Sequence, residues 1–261
     1  MLDTNFDALA DRLAHRVYGG LKGQLRLAVI WRDLLPLLEA AEQRFGQLTI
    51  LDVGGGLAQI SQRLAERGHN VLYNDLSQRM FEQAVAAVKA AGVAQRFSWH
   101  KGSYDSLQLN PESFDIILCH ALLEWLAEPA KLLPALRPAL KPGGLLSLCY
   151  YNPAGKVYRN LIRGNFDMLN NQAEYESDGG SLTPNYPCER NTVLAWLADT
   201  SLQVVEESGI RVFHDYVVER RGGHQNEQQV LEMELRYSKL EPYKWLGRYQ
   251  HIVARAVDVL Q

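Results

Sequence analysis

From about residue 48 the apolar positions alternate between two rhythms. LTILDV (48–53), VLYND (71–75), FSWHKGS (97–103), FDIILCH (114–120) and LLSLCYY (145–151) are short apolar runs that read as strands. FDIILCH is apolar on both faces, as strands buried in parallel sheets are. Between these runs the period lengthens to that of a helix at 59–67, closed by GHN (68–70), and at 76–92, ending on Gly92. ALLEWL starts a further helix, and LKPGG (140–144) makes a turn before the fifth strand. Upstream, helical spacing runs from Phe6 to about His15 and again over 23–41, with the glycine-rich YGGLKGQLR (18–26) expected as a joint between them. Strand–helix alternation with short polar connections predicts an α/β fold, a doubly wound parallel sheet.

The alternation breaks after residue 151. Residues 152–190 hold only a short helical piece and the polar stretch NNQAEYESDGG. Regularity returns with a helix at 191–200, one or two strands within QVVEESGIRVFHDYV (203–217), a charged helix over about 225–240 and a last strand in RYQHIVARAV (248–257). No repeat interrupts this order, which reads as one domain with two insertions.

Composition narrows the picture without naming a chemistry. A chain of 261 residues, 47% of them hydrophobic, can fill one α/β core. The net charge of −3 argues against bulk polyanion binding, so any nucleic-acid contact needs a local patch. Cys119, Cys149 and Cys188 lack paired metal-type spacing and suit a reducing compartment. The acidic N-terminus has no signal-peptide core, and no apolar run approaches the roughly 20 residues needed to span a bilayer. A soluble, cytoplasmic protein is expected, with no metal.

Candidate chemistry begins at Asp52, Gly54, Gly55 and Gly56, the turn after the first strand. Glycine lets a backbone take positive φ and lets a ligand approach its amides closely. Asp75 follows 23 residues later at the tip of the second strand, the distance at which an acid accepts from a ribose hydroxyl in nucleotide folds. The spacing D-x-G-x-G-x-A, with Ala58 last, is not the dinucleotide G-x-G-x-x-G. A tight turn without a ligand is the bland alternative.

The D-x-G-x-G form resembles motif I of the class I S-adenosylmethionine-dependent methyltransferases. FDIILCHALLEWL (114–126) and LKPGGLLSL (140–148) resemble that superfamily's fourth strand and following helix and the turn before its fifth strand. The likeness covers roughly 46–150. It implies a Rossmann-like, mostly parallel seven-stranded sheet and S-adenosyl-L-methionine as cofactor, leaving S-adenosyl-L-homocysteine as product. The flanks are more specific. YGGLKGQLR, CHALLEWL followed by YYNPAG (150–155) and GNFD (164–167), and GIRVFHDY (209–216) with LEPYKWLGRYQH (240–251) are similar to the bacterial tRNA 5-carboxymethoxyuridine methyltransferases. That resemblance implies methylation of the wobble-base carboxylate to its methyl ester, with the tRNA anticodon loop as partner. Residues 170–182 match least, and oligomeric state stays open. The chain then divides into an N-terminal helical cap (1–45), a cofactor-binding core (46–151), a substrate-side insertion (152–190) and the C-terminal half of the sheet (191–261), with a helical insertion at about 222–246.

Methylating a carboxylate asks for no general base, since a group titrating near 4 is about fully ionised at pH 7. Positioning donors are expected instead, holding the carboxylate about 3 Å from the methyl group. Arg26 is the candidate for the cofactor carboxylate, by bidentate guanidinium geometry, or else a solvated helix arginine. His120, closing the fourth strand, is a candidate for touching cofactor or substrate, or for simple packing. Ser103, with Tyr104, is placed near the adenine by the resemblance. For the anionic substrate the candidates are Arg211 and His214, with Tyr151 and Asn152 positioning it. Strand alternation would send Arg211 and His214 to opposite faces, so that only one reaches the site unless a bulge intervenes. Lys156, Arg159 and Arg163, at i, i+3 and i+7, make a basic helix face suited to an RNA backbone, or a solvated one. Two other readings remain at this point: a methyltransferase of this fold acting on a small metabolite, and a cofactor-binding protein without activity.

Overall fold

The computed structural model describes residues 3–7, 20–171, 184, 186–217 and 225–257. Its seven strands are β1 (Thr49–Val53), β2 (Asn70–Asp75), β3 (Phe97–Lys101), β4 (Phe114–His120), β5 (Leu140–Tyr151), β6 (Leu202–Ile210) and β7 (Tyr249–Ala256). They form one sheet in the order β3-β2-β1-β4-β5-β7-β6. The first five strands pair in parallel, whereas β7 inserts antiparallel between β5 and β6. Crossing back between β3 and β4 puts the topological switch between β1 and β4, and ligands of open α/β sheets bind at the strand ends there.

Alternate residues of each central strand feed two cores. Ile117 and Cys119 of β4 pack with Leu51 and Val53 on one face, beneath α4 (Leu132–Leu136) and α7 (Arg190–Asp199). Ile116 and Leu118 pack with Ile50 on the other, against α1 (Leu21–Phe45), α2 (Gln59–Glu66) and α3 (Gln78–Ala90). This two-sided burial is why FDIILCH shows no polar face.

Several local expectations need correction. The glycine joint ends at Gly20, and LKGQLR is already the first turns of α1. Leu25, Val29, Leu34 and Leu38 make a buried stripe that extends the helix through Gly23, which faces inward with them. ALLEWL is not a helix: Leu123–Trp125 and Pro129–Lys131 are single 3₁₀ turns ahead of the five-residue α4. Ala121 takes φ +56°, which stops helical propagation directly after β4. LKPGG is a bulge within β5 rather than a turn before it, since Phe114 pairs with Leu140 and Ile116 already with Leu145. Beyond β5 lie α5 (Pro153–Arg163) and the short α6 (Phe166–Asn170), more helix than the sequence suggested. The charged helix is α8 (Glu227–Tyr237). Residues 8–19, which hold most of the expected first helix, and 172–182 of the poorly matching stretch 170–182 lie outside the described residues.

Candidate functional site

A cleft opens at the C-terminal ends of β1, β2 and β4. Gly54, Asp75, Ser103, Tyr104, His120, Trp125 and Tyr249 line it, with Arg26 reaching in from α1. A connected lobe is bounded by Arg26, Asp52, Gly54, Gly55 and His120. Every residue assigned to the cofactor by sequence therefore borders one or both of these spaces.

The glycine turn is fixed by close packing. A Cβ on Gly55 would sit 2.5 Å from the Tyr73 ring and 2.7 Å from an Asp52 carboxylate oxygen, and Gly54 takes φ +62° with Leu122 beside it. The Tyr73 hydroxyl donates to the Gly56 carbonyl (2.6 Å), and the Gly56 amide donates to Asp75 Oδ2 (2.9 Å). Asp75 Oδ1 accepts from the Ser77 amide (2.8 Å), so both oxygens are oriented while each keeps a second lone pair. Burial pushes the Asp75 carboxyl above its ordinary range. Asp52, 4% exposed, is pushed up to about 7, by burial and then by the charge of Asp75.

Residues 3–7 strap across one rim of the cleft, which the sequence did not suggest. The Ala127 amide donates to Asp3 (2.9 Å), the Thr4 amide donates to the Trp125 carbonyl (3.0 Å), and Phe6 packs edge-on against Trp125 at 4.8 Å. Asp7 accepts from the Ser77 hydroxyl (2.7 Å), which brings the strap to the tip of β2. Ser103 donates to Asp105.

Arg26 is buried, with its guanidinium 4.1 Å from the centroid of Tyr249. Arg211 approaches the same ring at 5.5 Å. Tyr249 thus organises two arginines at the border between the cleft and the ends of β5 and β7, and sequence reasoning missed it.

The second region lies beyond that border. β6 stops at Ile210 and Arg211 takes φ +58°, so the strand alternation assumed for Arg211 and His214 does not apply. Both turn toward one carboxylate: Asp215 lies 3.4 Å from Arg211 and 3.3 Å from His214 Nδ1. Burial opposes the charge of Asp215, but His214, Arg211, Arg248 and Lys22 outweigh it and hold its carboxyl well below the usual range. The loop that carries them is held by Glu234 of α8, which accepts from the amides of Val212 (2.8 Å) and His214 (2.7 Å).

Tyr151 is 1% exposed, stands edge-on to Tyr249 at 5.6 Å and carries Arg248 over its ring at 4.8 Å. Asn152 departs from the expectation of a substrate-positioning group. Its Oδ1 accepts from the Ala154 amide and its Nδ2 donates to the carbonyls of Trp245 and Gly247, so it caps α5 and ties down the turn before β7. Lys156, Arg159 and Arg163 lie on α5, outside the cleft, beside the exposed Tyr158, Leu161, Ile162 and Phe166. Burial and the charges of Arg163 and Arg248 lower the Arg159 pKa.

Buried polar atoms without hydrogen-bond partners include the Tyr151 hydroxyl and the Nε atoms of Arg159 and Arg211 here, both Glu124 oxygens next to Trp125, and Gln59 Oε1 on the cofactor lobe. Glu124, 1% exposed and absent from the sequence-based candidates, is pushed up to about 7 by burial.

His120 borders both lobes while its Nε2 points to Ser147 Oγ at 2.9 Å. Burial, with the positive charge of Arg26 adding to it, presses its pKa well below the ordinary histidine value. A neutral imidazole is therefore what the cleft sees at pH 7. Among the described residues no group of three or more His, Cys, Asp or Glu side chains is placed to hold a metal, and no helix is long and apolar enough to cross a membrane.

The residues present fit S-adenosylmethionine: an oriented acid at the β2 tip for a ribose diol, a buried guanidinium for a carboxylate, and a turn that only glycine can make. Comparison with known proteins agrees. Residues 51–148 match the family described as methyltransferase domain. An S-adenosylmethionine-dependent methyltransferase from Mesorhizobium loti shares the fold, with a TM-score of 0.56 over 90% of this chain and 100% of that one, at 19% identity. The ubiquinone biosynthesis O-methyltransferase of Colwellia psychrerythraea is 25% identical over 71% of this chain and 74% of its own. The tRNA 5-carboxymethoxyuridine methyltransferase of Escherichia coli is 40% identical over 98% of this chain and 97% of its own. A shared catalytic domain makes this protein an S-adenosylmethionine-dependent methyltransferase, and a match at that level from end to end means that the chain belongs to the tRNA 5-carboxymethoxyuridine methyltransferase family.

Proposed function

We propose that this protein methylates the carboxylate of 5-carboxymethoxyuridine at the tRNA wobble position, in the cytoplasm, giving the methyl ester. The observation that carries the reading is the paired arginines at Tyr249, Arg26 on the cofactor side and Arg211 toward the ends of β5 and β7. Two carboxylates must be brought together, one on the cofactor and one on the substrate, and guanidinium groups match both. Bound S-adenosylmethionine supplies the methyl group and a neutral thioether leaving group.

The chain's own residues supply position and exclusion. Asp75 accepts the ribose hydroxyls, Arg26 binds the cofactor carboxylate, and Gly54 and Gly55 let the ligand approach the turn. Ser103 and Tyr104 border the adenine beneath the 3–7 strap. Arg211, held by Asp215, receives the substrate carboxylate with His214 beside it, and Tyr151 closes the apolar wall. No residue is asked to remove a proton, in keeping with a neutral, buried His120. Lys156, Arg159 and Arg163 on α5 grip the anticodon backbone, and Tyr158 and Phe166 offer exposed rings for an unstacked base.

The test is mass spectrometry of wobble nucleosides from cells lacking the gene, followed by methyl transfer from labelled cofactor to tRNA isolated from those cells. Loss of the methyl ester, restored by the purified protein, is expected. Unchanged ester levels, or transfer only to small metabolites, overturn the reading.

A further inference from the structure

A line of polar side chains runs from the cleft to the buried face of α1. His120 Nε2 meets Ser147 Oγ at 2.9 Å, and Ser147 Oγ meets His251 Nε2 at 2.9 Å. His251 Nδ1 meets Asp33 Oδ2 at 2.9 Å. Asp33 Oδ1 then accepts from Arg32 Nε (2.9 Å) and Nη2 (2.7 Å), with Lys239 at 3.5 Å. Ser147 and His251 are fully buried and Asp33 is 1% exposed. These groups interrupt LLSLCYY, YQHIVARA and the apolar stripe of α1, where Ile30 and Leu34 flank Asp33. Burying Ser147, His251 and Asp33 in a core is unfavourable unless each is satisfied, and in this line each of the three is.

The direction of the bonds follows from the end that carries charge. Asp33 already has Arg32 and Lys239 as counter-charges, and despite burial its carboxyl is held below the ordinary range by His251 and Arg32. A second proton on His251 would place a third cation on Asp33, beside Arg32 and Lys239, with its ring 6.0 Å from that of His120. Neutral His251 has one hydrogen, and Asp33 Oδ2, which can only accept, takes it at Nδ1. His251 Nε2 is then an acceptor and receives the Ser147 hydroxyl hydrogen. Ser147 Oγ, its hydrogen spent, accepts from His120 Nε2. The remaining His120 nitrogen, Nδ1, is left with a lone pair.

We propose that Asp33, His251 and Ser147 are positioning residues that lock His120 in the Nε2–H tautomer, so that it presents a hydrogen-bond acceptor at the cofactor cleft. A lone pair there favours the cationic end of the cofactor, its ammonium or its sulfonium, and disfavours the substrate carboxylate. The line thereby assigns His120 to the cofactor rather than to the anionic substrate. This inference rests on the cofactor reading of the cleft but not on the identity of the tRNA substrate.

Ring ¹⁵N shifts of the ligand-free protein labelled on histidine read the tautomers directly, with His120→Gln and His251→Gln assigning the two signals. Nε2–H on His120 and Nδ1–H on His251 are expected. Nδ1–H on His120 overturns the proposal outright, whatever the enzyme methylates. The second arm is Ser147→Ala, which should mix the His120 tautomers and weaken S-adenosylmethionine binding by about three- to tenfold, the scale of one lost buried hydrogen bond. Ser147→Thr should restore both. An equal loss for S-adenosylhomocysteine identifies the ammonium as the group accepted, and a loss confined to S-adenosylmethionine identifies the sulfonium; either supports the acceptor. A Ser147→Ala protein with unaltered tautomers and affinities for both overturns it. Should Ser147→Ala fail to fold, the unmodified protein's ring shifts still decide.

Discussion

The two halves of the active region treat their buried polar groups differently. At the glycine turn the chain satisfies itself: Asp75, Ser77, Tyr73 and the Gly56 amide are bonded to one another. Of the buried polar side-chain atoms lining the cofactor lobe, only Gln59 Oε1 is without a partner among the described residues. Past Tyr249, Tyr151, Arg159 and Arg211 each keep a buried polar atom without a partner. Orphaned atoms of this kind cost on the order of 1–3 kcal/mol each when desolvated. The first half is thus organised in advance, whereas the second is completed by what binds. Such a division suits an enzyme whose cofactor is invariant and whose substrate presents many acceptors at once.

The sharpest way to break that comparison is on the organised side. Gly55→Ala places a methyl group within 2.7 Å of both the Tyr73 ring and the Asp52 carboxylate, both of them buried. Cofactor affinity should fall at least about a hundredfold by calorimetry, since the turn itself must shift by overpacking. Affinity within threefold of the parent would show the turn to be plastic. On the other side, Arg211→Met keeps bulk and removes the charge. It should lower kcat/KM for tRNA by about thirty- to a hundredfold while cofactor affinity stays within twofold, as expected of a lost charge-assisted contact. A parallel loss of cofactor binding would merge the halves into one site.

These halves also differ in how readily the sequence revealed them. Motif I is local: Asp52, three glycines and Asp75 span one strand–turn–helix–strand unit, and spacing alone locates each residue. Arg211, Tyr249 and Arg26 meet only because β7 inserts between β5 and β6 and α1 packs back over them, a long-range pairing that no short window contains. The alternation argument for Arg211 and His214 failed because a strand assumed to continue ends at Ile210, where Arg211 adopts a left-handed φ. The structural role of Asn152 was hidden because its position at a strand end is also a helix N-cap, which engages its side chain. Ser147, His251 and Asp33 did leave a signal, polar residues at core-facing positions of apolar elements. Periodicity flags such residues but does not say which of them meet.

A smaller effect separates stability from function within the organised half. Asp52 is raised to about 7 by burial and the neighbouring Asp75, so the folded state binds a proton that the unfolded chain releases near its ordinary value. The native protein therefore binds more protons between about pH 4 and pH 7, and stability falls as pH rises through that window. Above pH 7 the whole loss is present, at most about 4 kcal/mol for a shift of this size. Asp52→Asn should raise the ligand-free denaturation midpoint at pH 8 and leave it nearly unchanged at pH 4. Equal changes at both values would mean that packing, not charge, sets the effect.

The least expected effect is on the rim of the completed half, and it bears on how a chain of net charge −3 holds RNA. Arg163 is exposed on α5, one turn beyond Arg159 and clear of the buried orphans. If it touches a phosphate, it displaces a counterion, and the logarithm of affinity falls with the logarithm of salt by about 0.7–0.9 per contact. Arg163→Ala should flatten that slope by about this amount and weaken tRNA binding by roughly two- to fivefold near physiological salt. Turnover at saturating tRNA should be unchanged, because the side chain lies outside the cleft. A flattened slope with unchanged turnover would make α5 a backbone grip, leaving selection of the modified base to the buried side chains around Arg211. An unaltered slope would return α5 to an ordinary solvated face, and recognition would then have to come from the orphaned interior groups alone.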